Sequence, residues 1–295
     1  MKILKLRRYL LLMAAWLCWG GSISGQEVVA VLSSELQPYQ EAYEGFAAEM
    51  EQPVPIVSLS VAEPRIGDQT RVVVAFGSKA ALESYPEKVV LIYCMAPGAM
   101  QEVEGQHEKT VHIDMLSRPQ RLLTALGEIQ PEMRKVGVLW VVERFGGYVE
   151  QLVEVGVELE VEVVGQRLET VEELPERLRS LNDLGVDALW LPPDPLLIDA
   201  RSFALLKEFS RSNDVPLYAP TAGFVAEGAV ASVAVSFSQI GREAAWLIEK
   251  VLAGEEVPKN VYPEECEISL NLESAAAAGL QISEELVQRA DEVLP

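Results

Sequence analysis

Two histidines, His107 and His112, and three cysteines, Cys18, Cys94 and Cys266, are all the imidazole and thiol the chain contains. A zinc-type centre gathers three or four such ligands, and neither histidine has a cysteine or an acidic cluster beside it, so no metal is expected. No G-x-G-x-x-G, P-loop or G-x-S-x-G motif occurs, which removes the common signatures of dinucleotide binding, phosphate binding and serine hydrolysis. Acidic pairs such as Glu172-Glu173 and Glu264-Glu265 stand in polar stretches and read as solvated faces, so nothing marks a glycosidase pair. Neither catalysis nor a cofactor is indicated.

Binding chemistry is better represented. Gly77-Ser78 opens a predicted helix, where free N–H groups and the positive end of the dipole suit a carboxylate, although Ser78 would equally serve as a cap. Asp194 stands among Pro192, Pro193 and Pro195, which would fix its carboxylate for an ammonium or amide, or simply build a rigid turn. Ser33-Ser34, Thr221 and Ser236 add hydroxyls. Phe145, Phe237, Phe224 and Tyr39 are aromatics that would stack on an apolar ligand or belong to the core.

These residues share a position: each candidate follows or flanks a predicted strand. Val28–Leu32, Ile56–Leu59, Val72–Phe76 and Val89–Tyr93 are short runs rich in Val, Ile and Leu without clean alternation, as strands buried on both faces are. Helices are predicted at Pro38–Met50 and Ser78–Tyr85. After a bridging segment, Val111–Pro119, the pattern restarts with strands at Val136–Trp140, Glu160–Val164, Ala188–Leu191 and Leu217–Ala219. Helices Gln120–Ile129, Gly147–Val155, Val171–Leu184 and Ser202–Ser212 alternate with them. The tail adds a strand, Ala229–Val235, a helix, Ile240–Leu252, and an extended stretch, Glu267–Leu272. Repeated βαβ alternation implies two doubly wound, Rossmann-like α/β lobes with parallel sheets, whose ligands bind outside the carboxyl ends of the strands. Ser60–Arg71 carries Pro64, Gly67 and no helical stripe, so that crossover is expected to lack a helix. The tail or a partner subunit would then have to cover the exposed face.

Length and composition fit this reading. At 295 residues, with 49% hydrophobic and 23% charged residues, the chain has material for two cores. Aspartate and glutamate number 45 against 24 lysines and arginines, and four of those cations, Lys2, Lys5, Arg7 and Arg8, precede the first acid. A net charge of −21 argues against nucleic-acid and anionic-membrane partners. The basic start, the apolar run Tyr9–Trp19 and the small, polar Gly20–Gly25 have the layout of a secretory signal over residues 1–25, too short to span a membrane stably. The mature protein is therefore expected in the periplasm or outside the cytoplasm, with no membrane insertion after cleavage. A Cys94–Cys266 disulfide is permitted there, but a buried free thiol is the preferred reading of Cys94.

Longer motifs extend the picture. Val28–Phe46 (VVAVLSSELQPYQEAYEGF), Val72–Ser84 (VVVAFGSKAALES), Asp187–Leu197 (DALWLPPDPLL), Val215–Glu255 and Ile268–Leu294 resemble the substrate-binding proteins of ABC transporters of the tryptophan/tyrosine type. That family has the type I periplasmic-binding fold. The resemblance implies two lobes joined by a multi-stranded hinge: residues 26–116 with part of 237–266, and residues 117–236 with part of 267–295. It implies a small-molecule ligand held between the lobes and delivered to a membrane permease driven by an ATPase, with Ser33, Ser34, Gly77, Ser78, Asp194 and Thr221 as contacts. Ser236 stands where relatives commonly carry an acid, which weakens the case for a zwitterionic amino acid. Hinge positions are expected near Ser117–Pro119, Ser236–Ser238 and Val261–Cys266. A clamshell that signals to a partner protein, and an exported enzyme, are the alternatives the sequence leaves open.

Overall fold

The computed structural model describes residues 26–96, 99–107 and 109–295; the signal reading of residues 1–25 and the Pro97-Gly98 turn lie outside them. The first half of the chain runs β1 (Val28–Leu32), α1 (Gln37–Glu49), β2 (Ile56–Ser58), β3 (Val72–Phe76), α2 (Ser78–Ala81), β4 (Val90–Cys94), α3 (Met100–Gln106) and β5 (Thr110–Ile113). Next come α4 (Pro119–Ile129), β6 (Lys135–Trp140), α5 (Gly146–Glu158), β7 (Glu162–Arg167), α6 (Leu174–Asp183), β8 (Ala188–Trp190), α7 (Ala200–Asn213), β9 (Leu217–Ala219), α8 (Ala222–Ala226) and β10 (Ala231–Ala234). The tail comprises α9 (Phe237–Ala253), β11 (Asn260–Val261), β12 (Glu267–Asn271), α10 (Leu272–Ala277), α11 (Glu284–Arg289) and β13 (Glu292–Leu294).

Two sheets result, ordered β11-β5-β4-β3-β1-β2 and β13-β12-β10-β9-β8-β6-β7. Every pairing is parallel except that of β10 with β12. All five residues of β1 and of β3 are buried, the signature of strands covered by helices on both faces. The architecture is thus two parallel-sheet α/β lobes. The chain passes between the sheets three times: between Ile113 and Pro119, between Ala234 and Phe237, and between Val261 and Glu267.

Several local expectations change. Thr110–Ile113, expected within a bridging segment, is strand β5; its alternating burial is that of a strand near a sheet edge rather than at its centre. The helix expected over Ser78–Tyr85 is a single turn, and α3, with Val103 as its buried anchor, carries no stripe to announce it. Strand β7 begins two residues later than expected because Glu160 holds a left-handed φ of 58°, which turns the chain before it can extend.

The crossover between β2 and β3 has no helix. Its own Leu59 and Ile66 pack on the core formed by Val29, Val31, Val73 and Ala75. The tail does not cover that side: α9 lies on the opposite face with α1, burying Ile240, Ala244, Leu247 and Ile248 against Val74, Phe76 and Ile113. Helices α1 and α9 touch backbone to backbone, since a side chain at Gly241 would overlap the Ala42 carbonyl and one at Gly45 would overlap Ser238. Cys94 and Cys266 are free thiols in separate cores, as preferred over the bridge.

Candidate functional site

Each sheet has one position where successive connections depart in opposite directions, and such switch points open a crevice at the carboxyl edge. In the first sheet it lies between β1 and β3, followed by Ser33 and Gly77. Ser33 N–H donates to the Phe76 carbonyl at 2.9 Å, and its Oγ accepts from Ala80 N–H at 3.0 Å. Gly77 has φ 97° and ψ 165°, and a Cβ there would stand 2.5 Å from Ser33 Oγ and 2.7 Å from the Tyr39 ring. Ser33, Gly77 and Tyr39 are therefore in one contact group, with Ser34 and Ser78 half-buried at its rim. The hydroxyl of Ser78 makes no cap bond; Ser33 does the capping from across the crevice. One of the N–H groups expected to meet a carboxylate is thereby already engaged.

The second sheet has its switch point between β6 and β8, and there the structure corrects the sequence reading. Asp194 is 0% exposed. Its Oδ2 accepts from the N–H groups of Val141 and Val142 at 2.7 and 2.8 Å, and its Oδ1 from Leu196 N–H at 3.0 Å. The carboxylate ties the loop after β8 to the end of β6, so it cannot present itself to an ammonium or amide; it is a positioning residue. The proline-rich turn aims the side chain inward.

Other candidates divide between rim and scaffold. Thr221 is exposed at the start of α8 and makes no cap bond, leaving its hydroxyl free toward solvent. Phe145 is buried in the turn after β6 and carries the Arg144 guanidinium 4.7 Å from its ring centroid. Phe224 packs on Phe203 at 4.7 Å, and half-buried Phe237 rests on the core beneath α1 and α9. Ser236 caps α9: its Oγ accepts from Gln239 N–H at 3.2 Å while Gln239 Oε1 accepts from Ser236 N–H at 2.8 Å. We expect Ser236→Ala to cost about 1 kcal/mol in urea unfolding while leaving a reciprocal gain for Ser236→Asp smaller than that loss.

The carboxyl edges of the two sheets converge near the crossovers. Tyr262, just past β11, meets Tyr148 in the first turn of α5 with ring centroids 5.4 Å apart, and Tyr148 Oη donates to the Ser117 carbonyl at 2.7 Å. His112 on β5 stacks on Tyr93 at 4.9 Å and sets its Nδ1 2.6 Å from Asn260 Oδ1. Burial holds its imidazole below the ordinary value; the Asp114 carboxylate opposes that shift and the Arg144 guanidinium, from the other lobe, adds to it. His112, Asp114, Arg144 and Tyr262 did not figure in the sequence reading. The signal for Arg144 was visible, a lone cation beside an aromatic at a strand end. Large apolar side chains also stand exposed at strand-end loops of both lobes: Leu36 at 62%, Met115 at 41% and Leu196 at 47%. Among the described residues no group of three metal-ligating side chains is assembled, and no helix is long and apolar enough to cross a membrane.

Comparison with known proteins agrees with this architecture. No curated protein matches the sequence. The fold resembles a ligand-free, open substrate-binding protein with adhesive properties from Clostridium difficile, at 17% identity and a TM-score of 0.65 over 90% of this chain and 98% of that one. It also resembles an ABC domain from Streptococcus pneumonia in complex with L-Trp, at 17% identity and a TM-score of 0.56, covering 92% of this chain and all of the other. A conserved domain protein from Vibrio cholerae aligns at 14% identity and a TM-score of 0.54 over 90% and 98% of the two chains. Such identities speak to fold alone. The sequence itself matches the family model described as ABC transporter substrate binding protein over residues 117–294, more than half of the chain. The chain belongs to the family of ABC transporter substrate-binding proteins.

Proposed function

We propose that this chain is the exported solute-binding component of an ABC importer, closing its two lobes over a small, partly apolar organic carboxylate and handing it to a membrane permease. The observation that carries this reading is the convergence of the two carboxyl edges across Tyr148 and Tyr262, with exposed Leu36, Met115 and Leu196 on the strand-end loops. Such a rim excludes water from an apolar body on closure, while Ser33, Ser34, Ser78 and Thr221 offer hydroxyls to its polar end. Gly77 admits the ligand to the crevice because any side chain there would strike Ser33 and Tyr39. Phe145 supports the rim from below; Asp194, Ser236 and Phe237 hold the loops and the crossover rather than the solute.

Closure is a shift of population toward a state in which one ligand touches both lobes, so affinity depends on contacts from each. The three crossovers, at residues 114–118, 235–236 and 262–266, are the segments that rotate. The solute leaves chemically unchanged, since no nucleophile–base pair faces the crevice. The pneumococcal ABC domain binds L-Trp; here the absence of an acid at Ser236 and the sealed carboxylate of Asp194 favour a ligand without an ammonium group.

Native mass spectrometry of the protein purified from its own host tests the proposal. We expect one small organic molecule per chain, released intact on denaturation. A polypeptide that is always bare, or a released compound altered by the protein, would overturn it.

A further inference from the structure

Resting on that reading, we infer that Arg144 is the residue that pairs with the carboxylate of the solute, so that the cleft selects an apolar monoanion over the corresponding amino acid. Arg144 is exposed in the turn between β6 and α5, with its guanidinium 4.7 Å from the ring centroid of buried Phe145. Stacking on a fixed aromatic holds the planar donor fork in one orientation and leaves its edge free, which is what bidentate recognition of a carboxylate requires.

Its neighbours do not occupy it. Glu143 is bonded instead to Arg167 at 2.6 Å, and among the described residues no carboxylate pairs with Arg144. In a chain of net charge −21, a cation left without an acid at a strand-end loop is poised for an outside anion. Its location is also right. Tyr148, in the same segment, already reaches Tyr262 at the edge of the other sheet, and the charge of Arg144 acts on His112 of that lobe.

Discrimination against an ammonium follows from what the second lobe lacks. The Asp194 carboxylate is sealed by three N–H groups, and the Ser236 hydroxyl is committed to its helix. Asp114 is the carboxylate closest to this region in the first lobe, and its Oδ1 already accepts from Leu116 N–H at 3.0 Å. An ion pair between Asp114 and Arg144 is the competing arrangement.

The test uses matched probes: 3-phenylpropanoate, its amide and phenylalanine, with hexanoate, hexanamide and norleucine as the aliphatic set, titrated by calorimetry against wild type, Arg144→Gln, Arg144→Lys and Asp114→Asn. We expect a carboxylate to bind wild type, its amide and amino acid to bind at least roughly ten-fold more weakly, and Arg144→Gln to lose about ten- to a hundred-fold, with partial recovery in Arg144→Lys. Equal binding by Arg144→Gln overturns the inference and leaves solute capture standing, as does amino-acid binding as tight as that of the carboxylate. No binding by any carboxylate discards the anion class, with capture then judged by the native mass spectrum. Equal, non-additive losses of ligand-free thermal stability in Arg144→Gln and Asp114→Asn would assign Arg144 to the interlobe pair and overturn the inference too.

Discussion

Replacing Asp194 by Ala lowers the stability of the protein by about 4 kcal/mol, because three backbone N–H groups lose a charged acceptor at once and a buried donor left unpaired costs roughly 1–3 kcal/mol. Val141 is buried, so water does not reach its N–H; Val142 and Leu196 are more open and recover part of their loss. The expected drop in melting temperature is roughly 10 °C, at about 2–4 °C per kcal/mol for a chain of this size class. Asp194→Asn fares little better. With its oxygen toward Leu196, the amide nitrogen faces two donors. Urea unfolding followed by tryptophan fluorescence checks both variants, and an unchanged midpoint would show that the loop after β8 is held by something else. The same carboxylate, read from the sequence as a ligand anchor, predicted lost binding with unfolding intact; the structure reverses that order of effects.

Gly241→Ala is the second large effect. A Cβ at Gly241 would overlap the Ala42 carbonyl oxygen and stand 2.6 Å from Phe46 N, both backbone atoms that no rotamer change can withdraw. Helices α1 and α9 must separate, opening the core shared by Phe46, Ile240 and Ala244, and overpacking of this kind costs about 3 kcal/mol. Gly127→Ala is the internal comparison. Gly127 lies in α4 with open space where its Cβ would be, so alanine there gains roughly 0.5–1 kcal/mol from reduced freedom of the unfolded chain. Opposite signs for the two glycines in one thermal denaturation series are the expected outcome, and equal behaviour would mean that the close approach of α1 and α9 does not matter.

The fold was legible wherever burial on both faces wrote itself into composition. β1, β3, β4 and β6 are unbroken apolar runs, and α4 and α9 have clear stripes with caps, so their places were read to within a few residues. Strand β5 escaped because Thr110 and His112 alternate with Val111 and Ile113, and α3 because one buried valine makes no pattern. Within the candidate site, switch-point reasoning led to Ser33 and Gly77, which the fold brings together. It failed for Asp194, since a proline-caged turn fixes a side chain without saying whether it points to solvent or to the backbone. The contact of Gly45 and Gly241 was equally hidden: a helical glycine signals close approach only once its partner is known.

Asp194 and Gly241 both hold in place the loops and helices on which lobe closure depends, and closure around a solute is the central claim. Small-angle X-ray scattering of the protein as isolated from its host, against the same protein unfolded, freed of bound solute and refolded, tests that claim most directly. The account predicts a larger radius of gyration after stripping and a return to the smaller value when the released solute is added back. Identical scattering in all three states, with the solute demonstrably bound in the first, would contradict it.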